Sequence, residues 1–437
     1  MSADPAAERQ SFTPSTFIYS PTTHRLRVIA VGLLVAAGCI NYLDRAAVAV
    51  AEPQIHQELH LSYGEVGVLL SAFAWSYGLA QIPAGTLLDR FGARRTLGVG
   101  LVLWSLAQLG ATFVRSLGQF IAARVALGLG ESPMYIGGTR VCTDWFALDQ
   151  RALPIAIFNS SSGLAPALAP PLLTWLMLAF GWREMFLIAG LGGFAVTALW
   201  VVFYRAPESS DVPAADLAEI RRQDSADVPH IGFRQALWLL RFPTTWGMFL
   251  GFFGVVYISW LYATWLPAYL ESSRHQSVAS AGLWASVPLA AGFFGALGGG
   301  FISEGLIRRG LSPATACRRP TVVGLLAAGF FTIAASQSGN VYIAIALIAC
   351  GLFAANVASS CGWALPSVIA PPNVVATLEA VQNVGGSVGG ALAPFVTGAL
   401  IQARGSFAPA FILAGIISLT CALIYLFGTR SKITASG

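Results

Sequence analysis

Charge is what this sequence has least of. Asp, Glu, Lys and Arg make up 10% of its 437 residues, against about 25% in an ordinary soluble domain. A chain so poor in charge and 56% hydrophobic lacks the polar surface for a water-soluble fold, so much of it must face lipid. Cysteine patterning is absent too. Cys39, Cys142, Cys317, Cys350, Cys361 and Cys421 are scattered through apolar segments with no CxxC pair, which fits small buried hydrophobes rather than disulfides or a metal centre. The apolar pattern leaves all five histidines, His24, His56, His60, His230 and His275, in termini or loops. An intramembrane metal or a histidine-based catalytic site is therefore not expected. No nucleophile–base cluster or soluble output domain is visible, which disfavours an integral-membrane enzyme or sensor. A cleavable signal peptide is not expected either: residues 1–24 are polar and the first apolar run is too long.

What the chain does have is apolar runs of transmembrane length, from roughly Val28 to Thr429. About twelve runs of about 17–25 residues can be counted, and their continuity argues against the short alternating strands of a β-barrel. The longest polar interruption, Arg205 to Arg241, divides them evenly. The expected organisation is a polar N-terminus (1–27), a first six-helix half (28–204), a linker (205–243), a second half (244–429) and a tail (430–437). The linker is expected to carry one short helix around Pro213–Asp224. The net charge of +5 does not indicate nucleic-acid binding, because the arginines follow topology. They crowd the termini, the linker and alternate loops, leaving Arg115, Arg183, Arg274 and Arg404 on the other side. This bias puts both termini in the cytoplasm.

The halves match at a shift of 224 residues. "NSSSGLAPALAPPLLTWL" from Asn159 and "NVGGSVGGALAPFVTGAL" from Asn383 share Asn and Ala-Leu-Ala-Pro in register. Arg94 and Arg95 fall on Arg318 and Arg319, and Gly181 on Gly405. A duplicated six-helix unit is the architecture of the major facilitator fold, which binds substrate between its halves. The loop "GTLLDRFGARR" resembles that superfamily's signature, and through Gly85, Asp89, Arg90, Gly92, Arg94 and Arg95 it is expected to form a cytoplasmic charge latch. Its second-half counterpart, Gly300 to Gly310, is degenerate, with Glu304 near the Asp position. The glycine-rich stretches "GLGESP", "LGGGF" and "NVGGSVGG" lack strand–turn–helix context, so close helix packing is the better reading than a phosphate loop.

Four charges stand inside apolar runs: Asp44 and Arg45 in the first, Arg124 and Glu131 in the fourth. A charge near the bilayer centre costs at least a few kcal/mol, so such residues mark substrate or proton paths. Arg45 and Arg124 each lie roughly 9 Å from the outer end of their helix and converge in depth. Two guanidiniums at one depth suit a carboxylate. Asp44 and Glu131 are the candidates for proton coupling, since their proton affinity depends on what occupies the arginines; structural ion pairing is the alternative. The second half offers neutral groups: Tyr257, Tyr262, Asn356, Ser359, Ser360, Trp363, Gln382 and Asn383, with Asn159 equivalent to Asn383. Glu379 is the exception, near the cytoplasmic end.

"NYLDRAAVAVAEPQI", "SAFAWSYGLAQIPAGTLLDRFGARR" and "RVALGLGESPMY" resemble the anion:cation symporter family of the major facilitator superfamily, over essentially the whole chain. The family includes galactonate, glucarate and hexuronate permeases, sialin and the vesicular glutamate transporters. The resemblance implies substrate binding by Arg45 and Arg124, with Tyr77, Ser360, Trp363 and Asn383, and proton handling by Asp44 and Glu131. Ser162 stands where galactonate-type members carry Gln, Glu379 where they carry a small residue, and the seventh-helix Arg of vesicular members is absent. The expectation is a monomeric bacterial inner-membrane symporter with no cofactor beyond the coupling proton. It would import a sugar acid by alternating access; an aromatic or short-chain carboxylate, or uniport or exchange, is the alternative.

Overall fold

The computed structural model describes residues 17–147, 150–221, 238–370 and 375–429. Among these the regular structure is helical throughout. The first half comprises α1 (Pro21–Glu58), α2 (Tyr63–Ala111), α3 (Leu117–Glu131), α4 (Pro133–Trp145), α5 (Ala152–Phe180) and α6 (Trp182–Phe203). After the short linker helix α7 (Ala214–Arg221), the second half comprises α8 (Pro243–Ala268), α9 (Val278–Arg308), α10 (Pro313–Gln337), α11 (Val341–Ile369), α12 (Val375–Arg404) and α13 (Ala408–Gly428).

Ten helices among the described residues are long and apolar enough to span a membrane. One of them spans twice, and one crossing is broken in two, which brings the crossings to twelve. The double span is α2. Its 49 residues would measure about 73 Å if straight, more than twice a hydrocarbon core of about 30 Å. The chain instead folds back at Gly92, where φ is 75° and ψ 165°, a conformation that a Cβ makes costly. Thr96 Oγ1 donates to the Leu87 carbonyl across this turn, at 3.2 Å. The broken crossing is α3–α4: Pro133 follows Ser132 at the first position of α4, and a proline cannot continue the hydrogen-bond ladder.

The chain enters α1 earlier than position 28. Ser20 Oγ caps the helix by accepting from Thr23 N, and Pro21 occupies its first turn. His24 and His56 consequently lie inside α1 rather than in a terminus or loop, a correction to the sequence reading. Linker helix α7 covers the start of the expected Pro213–Asp224 helix; residues 222–237, like 1–16 and the tail 430–437, lie outside the described residues. Asp216 of α7 ties the linker to α1 by accepting from Ser20 N (3.0 Å) and Thr23 Oγ1 (2.6 Å). Burial pushes the Asp216 carboxyl up, but the Thr23 and Ser20 donors outweigh it and hold it below the ordinary range.

The halves repeat in detail. Gly181 and Gly405, 224 apart, both take positive φ, 98° and 64°. Arg94 donates to the Val201 carbonyl at 3.3 Å, and Arg318 in the second half to that of Thr429 at 3.5 Å. The halves meet tightly at the end away from the linker, called here the far face. Gly64 N donates to Gln402 Oε1 at 2.8 Å. A Cβ on Gly398 would stand 2.3 Å from the Tyr63 carbonyl, and one on Gly67 2.9 Å from that of Pro394. The protein is therefore closed at the far face. At the linker face, Gly85, Gly300 and Gly305 have open space around them, and Trp363 is 41% exposed.

Candidate functional site

A cavity of about 300 Å³ lies between the halves, with Arg45, Arg124 and Ser162 on one wall and Trp260, Tyr262 and Asn356 on the other. Both arginines are nearly removed from solvent, Arg45 with 14% of its side chain exposed and Arg124 with 4% overall. Their guanidiniums share the ring of Phe73, from α2, at 4.9 and 5.0 Å from its centroid. Arg45 also lies 5.0 Å from the Tyr42 ring and 4.7 Å from that of Tyr77. Aromatic faces stabilise a cation without consuming its N–H donors, so both forks keep hydrogen-bonding capacity.

The arginines differ in their partners. Arg45 Nε donates to Glu131 Oε2 at 2.8 Å, reaching across to the end of α3 where Pro133 interrupts the crossing. Its Nη2 is buried without a partner. Arg124 has no carboxylate within ion-pair distance among the described residues, and its Nε and Nη1 are buried and unpartnered. Asp44 is fully buried with neither oxygen bonded, although it is the sequence neighbour of Arg45. The step of about 100° per residue turns it off the Arg45 face. The ion pair is thus Arg45–Glu131, and Asp44 and Arg124 are left with unmet hydrogen-bonding capacity. Such groups are costly in a dry interior.

Of the other residues singled out by sequence, Tyr77 reaches the site through Arg45 and Ser162 lines the cavity. Asn159, Ser360, Trp363 and Asn383 do not line it. Asn159 is exposed, Trp363 packs edge-on against Phe252 (4.9 Å), and Ser360 and Asn383 are half-buried. All four sit nearer the linker ends of α5, α11 and α12. Glu379 is likewise half-buried near the start of α12. In the expected latch, Asp89 approaches Arg140 of α4 at 3.7 Å. Both belong to the first half, so the pair does not cross between halves. Arg90 leans over Phe91, Arg95 borders an apolar groove, and Gly85 touches no neighbouring helix.

Asn356, offered by the sequence among the neutral groups of the second half, does line the cavity, whereas sequence reasoning did not select Asn41 or Phe73. Asn41 stands four residues before Arg45, with both amide atoms buried and unpartnered; helical spacing from Arg45 was the available signal. Phe73, whose ring stacks 6.1 Å from that of Trp260 across the halves, carries no signal that separates it from ordinary apolar residues of a span.

Residues 34–394 match the family model described as Major Facilitator Superfamily. The chain is 35% identical to a "Probable L-galactonate transporter" of Escherichia coli (strain K12), over 97% of this chain and 96% of that protein. It is 33% identical to a "Probable galactarate/D-glucarate transporter" of the same strain, over 89% and 91%. Among solved structures, a bacterial homologue of the human lysosomal transporter Spinster, inward-facing and unoccupied, superposes with a TM-score of 0.78. That likeness covers 94% of this chain and 99% of the other at 19% identity, and speaks to the fold.

Proposed function

Because the chain belongs to the major facilitator superfamily, and so is a transporter rather than an enzyme, we propose that it carries an organic anion together with protons by alternating access. The favoured cargo is a sugar acid, and the proposed setting is a bacterial inner membrane with both termini in the cytoplasm, the protein working as a monomer. The observation that carries this reading is Arg124: a buried guanidinium, unpaired, on the wall of a cavity between the halves. An uncompensated buried charge is costly, and an entering carboxylate relieves it through paired charge-assisted hydrogen bonds.

The Arg45–Glu131 pair supplies a route to coupling. A carboxylate that takes the Arg45 fork competes with Glu131 for it, and a buried Glu131 without its cation is better off protonated. Anion and proton therefore load together. Asp44, buried beside the same charges, is the second candidate carrier. The cavity favours a hydroxylated tail, since Asn356 on the opposite wall and Ser162 beside the arginines offer polar groups to sugar hydroxyls. The names of the relatives support the same class.

Trp260, on the wall and stacked toward Phe73, favours a second reading in which the tail is aromatic. Uptake into proteoliposomes from a panel of aldonates, uronates, aldarates, benzoates and short carboxylates separates the two. The expected result is acid-stimulated, concentrative uptake of an aldonate or uronate. Preferential uptake of benzoates would move the assignment to aromatic acids, and no carboxylate uptake at all would overturn it.

A further inference from the structure

Away from the arginines, another carboxylate is buried in the membrane-spanning part. Glu52 of α1 is 3% exposed, and its Oε1 has no hydrogen-bond partner. It lies six residues from the far end of α1, beyond the cavity. The charge that acts on it is Glu271, in a π-helical turn (Tyr269–Ser273) that extends α8. Single π turns are frequent at functional sites. Glu52 belongs to the first half and Glu271 to the second, so the two stand on opposite sides of the seam closed at the far face, where Tyr63 meets Trp265 of α8.

No cation among the described residues neutralises this pair. Arg183, at the same end, is bound to Glu58 at 2.8 Å. Arg274 donates to the Tyr269 hydroxyl and the Ala335 carbonyl. The remaining titratable neighbours are His56, one turn beyond Glu52, and Tyr63 of α2, whose rings stack at 4.6 Å. His56 Nδ1 is buried without a partner, and Tyr63 lies 6.3 Å from Trp265 of α8. The seam thus gathers two acids, a histidine and a tyrosine, with no arginine or lysine to balance them.

We propose that Glu52 and Glu271 form a proton-binding pair that governs closure of the far face. Two carboxylates in a poorly hydrated seam repel strongly when both are ionised, and one shared proton removes that repulsion. Opening the far face separates the halves and lets water screen both charges. The closed seam therefore binds a proton more tightly than the open one, and a proton arriving from the far side favours closure behind the cargo. This device rests on the alternating-access reading but is independent of which anion is carried, and it is separate from Asp44 and Glu131.

The test uses full-length protein in lipid nanodiscs without substrate, its native cysteines replaced by Ala. Spin labels on Arg115→Cys, in the far-face loop between α2 and α3, and Gln337→Cys, at the far end of α10, report the separation of the halves by pulsed electron paramagnetic resonance. Across about pH 5 to about pH 9, the wild-type pair is expected to show a short distance in acid that gives way to a longer one as protons leave. Glu52→Gln and Glu271→Gln should each hold the short distance to proton concentrations at least about tenfold lower. Asp44→Asn should leave the response in place. A wild-type distance independent of pH overturns the proposal. So does a response that survives in both glutamine variants and vanishes in Asp44→Asn, which would place the sensor at the arginine site. Anion uptake is not read in this experiment, so its failure is distinguishable from failure of the transport assignment.

Discussion

Arg124 and Arg45 stand on the same cavity, yet only Arg45 has a carboxylate to lean on. Arg124→Ala is expected to weaken binding of a labelled sugar acid by about 10- to 100-fold, the worth of a charge-assisted hydrogen bond or more. Lys should restore little, because a point charge does not reproduce a planar fork. Scintillation proximity binding checks this, with a monodisperse, thermally intact variant as the control for folding. Glu131→Gln and Asp44→Asn are expected to abolish accumulation against a gradient while leaving exchange of internal for external anion largely intact. Exchange does not require the empty carrier to shed protons and return, so loss of both activities together would assign these acids to structure instead. The four charges were legible in the sequence because ionised groups in apolar runs are too costly to be incidental. Which acid holds which arginine was not. Asp44 adjoins Arg45 in sequence, but helical rotation and the break at Pro133 deliver Glu131 instead. Phe73 was invisible for a different reason: an aromatic ring among apolar residues reads the same whether it packs on a lipid or under a guanidinium.

At the scale of elements, the reversal within α2 depends on Gly92. Its φ of 75° lies where L side chains are strained, and nothing crowds it within 4 Å. Gly92→Ala is thus expected to cost about 1–3 kcal/mol through backbone strain alone, seen as a lowered unfolding temperature. Gly85→Ala, in the same loop motif with equally open surroundings but ordinary helical backbone, should instead stabilise the helix by about 0.5–1 kcal/mol. The contrast isolates the turn from the motif that contains it. The linker offers a pH-dependent case. The Asp216 carboxyl is held below its ordinary value, so its tie to Ser20 and Thr23 is fully present above an unfolded-state value of about 3.9 and fades only as the medium becomes more acid than that. Proteolysis of the linker at neutral pH should therefore quicken in Asp216→Ala and stay unchanged in wild type down to about pH 5. The spans themselves were legible from length and hydropathy. Their ends were not: α1 begins at Pro21 because of a Ser cap and a proline, local devices that a hydropathy window averages away.

For the molecule as a whole, the repeat was legible because an Asn, an Ala-Leu-Ala-Pro and a turn glycine kept register across 224 residues. The state of the protein was not. Closure at the far face depends on bare glycine backbones of α2 and α12 touching across the halves, and a glycine in an apolar helix gives no hint of its partner. Gly398→Val should block that approach, since even a Cβ would stand 2.3 Å from the Tyr63 carbonyl. The expected outcome is a carrier trapped open at the far face, measured as a long distance between spin labels on Arg115→Cys and Gln337→Cys even in acid. One consequence of the four intramembrane charges is electrical. The two arginines and two ionised acids at the cavity sum to zero, so this site adds no net charge to the movement of the empty carrier through the membrane voltage. A monovalent anion with one proton is also neutral, whereas a second proton adds one positive charge, which gains about 2.3 kcal/mol per 100 mV. Currents recorded on a solid-supported membrane during loading with a monocarboxylate would then count the protons directly: none for one proton, an inward positive current for two.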